Sequence, residues 1–480
     1  MKKKMMLILA GIFLVLLVAT AGKWMNCSYR ERQELDTYTL EFLDQTVTAQ
    51  ETVQKTILGN REILRRCYTM ENGDQVIQGR VQMNRWQSQW RIIEQWHLAC
   101  DTGVIWYYDE QTKNWENTPL KPMELNTLCV YIETELQDYF IYMPLGYTKL
   151  KNQSMQLNGS RGYLSVVPAK QGYQVRLFGS CMEENQLCDY TVVRSTEKGA
   201  LLSMEQGFPN LWKNYAQDGE GKWCYDGYYR VAPITYDPAG ANVYFRCVTS
   251  YVAKSMAFIS GSSRCAKNLT IAMLDTISKF QEETGCFLTE SESAWLKEDY
   301  NIEAGFYDTR WNSDLMLIYL KYSEQYGGFD AVYTAYFDYY LKFAEKNHYT
   351  TTRGGWLVYD YSGNQKTVHC SLNHQLAEME VLYRFSDYLG RQDLAQLADR
   401  MLLGIEDIGT QWICPDGNLQ YAYLDGGFIG QDYPYLTYND LFQMQNTLTE
   451  RYGSRNAVLD ELMASKLAWM QQRGITGYMQ

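Results

Sequence analysis

Residues 371–408 read SLNHQLAEMEVLYRFSDYLGRQDLAQLADRMLLGIEDI, and this stretch decides the fold of the second half of the chain. Its apolar residues recur at the 3.6-residue period of a helix over 371–389 and again over 392–408. Gly390 falls between the two runs, where a left-handed C-cap ends one helix and a tight antiparallel partner begins. The same grammar appears further on, with helices over 439–452 and 456–472 and Gly453 between them. Working backward, Leu315, Ile318, Tyr319 and Tyr322 mark a helix, followed by Val332, Tyr336, Tyr339, Tyr340 and Phe343 on the next. Leu269, Met273, Leu274, Ile277 and Phe280 mark an earlier one. Longer loops, 287–311, 347–370 and 409–438, separate the pairs. Short link alternating with long loop is what stacked helical hairpins require, so residues 261–480 are expected to form an α/α toroid of antiparallel helix pairs, with the long loops at one end.

Upstream of about residue 260 the texture changes. Short runs rich in β-branched and aromatic residues, such as 103–108 (GVIWYY) and 173–178 (YQVRLF), alternate with turn signals such as Asn158-Gly159. Residues 67–260 are therefore expected to be a β-rich domain, which makes the chain α+β. Residues 23–66 carry Leu40, Phe42, Leu43, Val47, Val53, Ile57, Ile63 and Leu64 at mostly helical spacing and read as a helical stalk. Lys2, Lys3 and Lys4 precede a charge-free apolar stretch, Met5 to Gly22. Eighteen residues lie between a signal-peptide core and a spanning helix, so residues 1–22 are read as a signal peptide or membrane anchor. The first reading ends in cleavage near Ala21, the second in a single-pass protein of the cell membrane; both put the bulk of the chain outside the cytoplasm. The twelve cysteines would then be free to form disulfides, with Cys181–Cys188, Cys224–Cys247 and Cys265–Cys286 as candidate pairs. No Cys/His spacing matches a zinc site.

Composition narrows the partners. With 480 residues, a net charge of −12 and no run of three basic residues after Lys4, the chain lacks the clustered cationic surface of a nucleic-acid binder. Tyrosine is abundant, at 40 residues. It suits wet aromatic clefts of the kind sugars occupy, and equally a tyrosine-rich core.

The unusual polar and aromatic density lies in the long loops. One reads Arg353-Gly354-Gly355-Trp356-Leu357-Val358-Tyr359-Asp360-Tyr361, then Leu372-Asn373 and Leu382-Tyr383. Another carries Tyr421, followed by Asp432-Tyr433-Pro434-Tyr435-Leu436-Thr437-Tyr438-Asn439. In order and spacing these residues resemble the C-terminal domain of the D-glucuronyl C5-epimerases. That family has a Trp, an acidic residue followed by Tyr, Leu-Asn and Leu-Tyr on the next helix, then two separated tyrosines. The likeness covers about residues 310–473, roughly a third of the chain. It departs from the family where glutamate is replaced by Asp360, where Asp-Leu-Arg is replaced by Ala422-Tyr423-Leu424, and where histidines are replaced by Leu436-Thr437-Tyr438-Asn439.

The resemblance implies removal of the C5 proton of a hexuronate in an acidic polysaccharide and its return from the opposite face, without a cofactor. Tyr421 and Tyr435 would be the acid/base pair, with Tyr361 and Asp360 beside them. Trp356, Arg353, Arg310, Asn373 and Tyr438 would bind the substrate, the arginines standing in for the family's lost one. His369 and His374 border a helix start and read first as packing or capping groups. The same fold without a working site would be a non-catalytic glycan-binding or structural module of the cell surface. A polysaccharide lyase would share the proton abstraction and then expel the 4-substituent.

Overall fold

The computed structural model describes residues 31–57, 61–83, 91–179, 183–196, 221–362 and 367–479. Two compact units emerge. One comprises residues up to 231 with 241–244 and 259–273; the other comprises 232–240, 245–258 and 274 onward. The chain thus passes between units several times around residues 231–274 rather than once near 260.

The first unit is β-rich. Strands Gln33–Glu41, Thr46–Lys55, Arg61–Met70 and Gln75–Met83 form an antiparallel meander. The sheet continues through Gln186–Ser195, Asp138–Lys149 and Ser154–Arg161. A smaller sheet orders Arg91–Leu98, Tyr173–Gly179, Tyr163–Pro168 and Met123–Leu125. Ile63, Val81 and Val192 from the large sheet share one buried core with Ile93, Leu164, Val175 and Leu177 from the small one.

This arrangement corrects the helical stalk. Residues 46–55 (TVTAQETVQK) put Val47 and Ala49 inward with Thr48 between them facing out, a period of two. Five of the ten are β-branched, and Thr and Val lose side-chain freedom in a helix but pack well on a pleated surface. Of the residues read as a helical stripe, Leu40, Val47, Val53, Ile63 and Leu64 lie on three successive strands, and Phe42, Leu43 and Ile57 lie between them.

Membrane attachment is also corrected. Among the described residues no helix is long and apolar enough to cross a membrane, so a single-pass membrane protein is not supported. The stretch Met5–Gly22, with its Ala19-Thr20-Ala21 junction, lies outside the described residues. Two of the candidate disulfides are not formed, since Cys224, Cys265 and Cys286 carry free thiols. Cys181 lies outside the described residues.

Among the described residues the α-helices are α1 (Tyr251–Ile259), α2 (Arg264–Ser278), α3 (Ala294–Tyr300), α4 (Thr309–Tyr326), α5 (Asp330–Lys346), α6 (Leu372–Leu389), α7 (Gln392–Ile408), α8 (Leu436–Tyr452) and α9 (Ala457–Gln472). In the second unit α6 packs against α4 on one side, α8 on the other and α7 behind it, and α5 touches α7. Thus α4, α6 and α8 form an inner row and their hairpin partners α5, α7 and α9 follow behind. Gly390 (φ 67°) and Gly453 (φ 73°) end α6 and α8 in the left-handed conformation, where a Cβ would be strained. A second glycine pair draws the Trp356 loop onto α7: a Cβ on Gly404 would lie 2.4 Å from the Trp356 carbonyl oxygen, and one on Gly355 would lie 2.3 Å from the Gly404 nitrogen.

Candidate functional site

The N-terminal ends of α4 and α6 converge on Asp360. The Thr309 N–H donates to the Asp360 carbonyl at 3.0 Å, and the Asp360 N–H donates to the His369 carbonyl at 3.0 Å. The backbone is therefore clamped on both sides, and the carboxylate is fully buried. It accepts from the Ser371 N–H at 2.8 Å and from the Ser371 hydroxyl. His369 Nε2 lies 3.2 Å from Asp360 Oδ2, and His374 Nδ1 lies 3.7 Å from it. Burial opposes ionisation here, but the imidazoles of His374 and His369 and the Ser371 donors outweigh it, so the acid sits below its ordinary value. Asp360 is a buried anion.

Its neighbours behave oppositely. Asp308 caps α4, accepting from the Trp311 N–H at 2.8 Å. Burial, only partly offset by that N–H and reinforced by the Asp360 charge, pushes it up to about 8. Glu378, in the second turn of α6, is driven well above its usual value by burial and takes the Tyr340 hydroxyl as a donor. Two carboxyls pushed up by burial thus stand beside one held low, a separation of environments of the kind that distinguishes acid from base roles. Burial pushes His374 down to about 4 in spite of the Asp360 charge; its Nδ1 is 2.9 Å from the Thr309 hydroxyl.

An aromatic wall covers this group. Tyr361 is packed edge-on between Trp295, Phe306, His369 and His374, with centroids 5.7–6.4 Å apart. His369 Nδ1 meets the Tyr300 hydroxyl at 2.8 Å. Tyr421, on strand Gln420–Leu424, sits 5.6 Å from the His369 ring and 5.8 Å from that of Tyr433. The Tyr421 hydroxyl donates to that of Tyr433. Burial and then the Asp360 charge raise the Tyr421 phenol, keeping it protonated. Tyr433 is 45% exposed, so the line Tyr433–Tyr421–His369–Asp360 runs from solvent to the buried anion.

Of the residues singled out from sequence, Asp360, Tyr361 and Tyr421 are brought together here. Asn373 is buried in the first turn of α6, and its carbonyl accepts from Arg310 at 2.9 Å. Arg310 itself is bound by Asp440 at 2.7 Å and Asp314 at 3.2 Å. Arg353 is exposed and paired with Asp407 and Glu406. Trp356 is stacked on His348 at 3.8 Å and has the Arg400 guanidinium 4.4 Å from its ring; it faces α5 and α7 rather than the cluster. Tyr435 is 42% exposed at the N-cap of α8, and the ring against Tyr421 belongs to Tyr433, two residues earlier. Tyr438 is buried and packs on Tyr478. Sequence reasoning undervalued His369 and His374 and missed Asp308, Ser371 and Tyr300. The Asp308-Thr309 pair opening an apolar-periodic run was a readable N-cap signal, but nothing local showed that the cap would face a second acid 52 residues away. Among the described residues no group of three or more His, Cys, Asp or Glu is placed to share a metal ion.

No protein-family model matches the chain, and no curated protein does. Among solved structures it is similar to a cellobiose 2-epimerase from Spirochaeta thermophila, at 12% identity and a TM-score of 0.35, over 46% of this chain and 58% of that one. A family 76 glycoside hydrolase from a bovine Bacteroides thetaiotaomicron strain aligns over 83% of this chain and 75% of its own, at 11% identity and a TM-score of 0.39. An unsaturated glucuronyl hydrolase from Bacillus sp. GL1 aligns over 46% and 59%, at 16% identity and a TM-score of 0.33. The chain thus spans less than two thirds of the epimerase and of the glucuronyl hydrolase. None of these comparisons shows the D-glucuronyl C5-epimerase family.

Proposed function

We propose that the protein processes an acidic glycan, and that the reaction is abstraction and return of the C5 proton of a hexuronate residue. The observation that carries this reading is the line Tyr433–Tyr421–His369–Asp360, which joins an exposed phenol to a buried anion through an imidazole. The C5 proton is weakly acidic, and its removal leaves an enolate-like carboxylate; a site for this chemistry needs one acid/base group on each face of the sugar ring. Tyr421 and His369 are too close to flank a sugar, so together with Asp360 they form one such group. His369, whose ring nitrogens face Asp360 and the Tyr300 hydroxyl, positions the Tyr421 ring from behind, and Tyr421, being protonated, donates the proton on this face. Tyr435, exposed at the start of α8, is assigned the other face.

The competing reading is a glycan-binding module without turnover. What favours it is that Arg310 and Arg353, the cations the resemblance assigned to the uronate carboxylate, are both occupied by protein carboxylates. Deuterium uptake at C5 of uronate polymers in heavy water, read by NMR, separates the two. Tyr421→Phe keeps the packing but loses the exchangeable proton, so uptake is expected to fall about a hundredfold. Uptake unchanged in that variant removes Tyr421 from the reaction. No uptake in the unaltered protein on any hexuronate polymer leaves the binding module, and uptake accompanied by an unsaturated 4,5-product marks a lyase.

A further inference from the structure

A groove of about 450 Å³ runs along the inner faces of α1, α4, α6 and α8, within the second unit. Each helix contributes one stripe: Lys254 and Phe258 from α1, Asp314 and Lys321 among others from α4, Glu380 and Arg384 from α6, Asn439 and Asp440 from α8. At one end it reaches Arg310, the residue directly after Thr309, whose hydroxyl touches the Asp360 group. The floor is internally neutralised. Arg310 is held by Asp440 and Asp314, and Arg384 by Glu380 at 3.0 Å.

The mouth differs. Lys254 is exposed, one helical turn before Phe258. Phe258 is 59% exposed, an unusual state for a phenylalanine beside a cavity. The Lys321 ammonium stands 5.2 Å from its ring centroid. Two ammonium groups and an open aromatic ring at one rim, above a floor of paired polar groups, match one ligand chemistry well. Sugar C–H faces stack on an aromatic ring, a carboxylate pairs with lysines, and hydroxyls exchange hydrogen bonds with side chains such as Asn439 and Gln443.

We propose that Lys254, Lys321 and Phe258 form a subsite that recognises a carboxylate-bearing sugar of an acidic glycan, a residue of the glycan other than the one presented to Tyr421, which does not line this groove. This inference rests on the acidic-glycan reading above and deepens it.

The test uses the full chain and size-matched oligosaccharides of hyaluronan and polygalacturonate, as the acidic series, and of cellulose, with calorimetric titration at about 50 mM salt, well below the ionic strength that screens exposed charges. The unaltered protein is expected to bind the acidic series, weakly or not at all the neutral one. The double variant Lys254→Gln/Lys321→Gln is expected to lose about tenfold in affinity, the combined share of two exposed ion pairs, and to show a shallower salt dependence. Phe258→Leu should weaken binding while leaving the salt dependence as it was. All three side chains lie at the surface of the groove, so unchanged thermal melting serves as the folding control. Equal affinity in the double variant, equal affinity for the neutral series, or no binding of hyaluronan and polygalacturonate fragments alike each overturns the subsite. Binding that follows these expectations without any C5 exchange would overturn the epimerase reaction and leave the subsite standing. Exchange with an unchanged KM in the double variant would do the reverse.

Discussion

Lys466→Met tests how the exposed end of the site is held in place. Lys466, on α9, has a fully buried side chain. Its three ammonium protons meet Asp432 Oδ2 at 2.6 Å, Asn418 Oδ1 at 2.6 Å and the Tyr433 carbonyl at 2.7 Å. The remaining Asp432 oxygen takes the Thr437 hydroxyl. One cation thus ties both ends of the segment that carries Tyr421 and Tyr433 to a helix of the outer row. Methionine fills nearly the same volume but leaves Asp432 buried without its counter-charge, and breaking a buried pair from one side costs about 3–5 kcal/mol. The cost is pH-dependent, and its sign follows from Asp432. Burial already raises that carboxyl in spite of Lys466, and removal of Lys466 raises it further. A raised folded-state value means that the protonated form is favoured on folding, so the variant regains stability as pH falls and is worst above neutrality. Urea titration at pH 5 and pH 8 should show a deficit at both, smaller at pH 5. The double variant Lys466→Met/Asp432→Leu should recover much of the loss, because both charges are then gone. A single variant within about 1 kcal/mol of the unaltered protein at pH 8 would refute the reasoning, since that is the range of an exposed pair.

Two further outcomes follow from the same physics. Asp308, pushed up to about 8 by burial, contributes stability that is complete below its unfolded value and is lost as pH rises through about 8. Asp308→Asn keeps the N-cap and removes the titration, so the stability difference between pH 5 and pH 8 should shrink; an undiminished difference would clear this group. Gly404→Ala adds a helix-favouring methyl but drives it to 2.4 Å from the Trp356 carbonyl. Overpacking of this kind costs about 1–3 kcal/mol, and a variant as stable as the parent by thermal melting would show that the loop yields.

The helical half was legible because its signals are local. Gly390 and Gly453 set two helix ends by a conformation only glycine adopts cheaply, and an apolar period of 3.6 needs no knowledge of what it packs against. Residues 40–64, within the expected stalk 23–66, were misread because their aliphatic residues are sparse. When only eight apolar positions are scattered over some 25 residues, a helical template matches about as many of them as a strand template does. The deciding information lay in the threonines and valines between them. The site was half legible for a related reason. Asp360 and Tyr361 sit on a loop with a recognisable order of residues. Asp308 caps α4 and His369 precedes α6, so both join them only because the starts of these helices meet, and a bridge such as that between Asp308 and Tyr361, 53 residues apart in sequence, leaves no trace in either segment. The arginines show the converse. Arg310 and Arg353 were chosen because the chemistry needed a cation, but every cation in an acidic protein has carboxylates competing for it, and both were captured within the fold. In a chain with 56 acidic and 44 basic residues, the cations available to a ligand are those whose helical neighbours leave them unpaired, which is why Lys254 and Lys321, unremarkable in sequence, become the stronger candidates once the groove is seen.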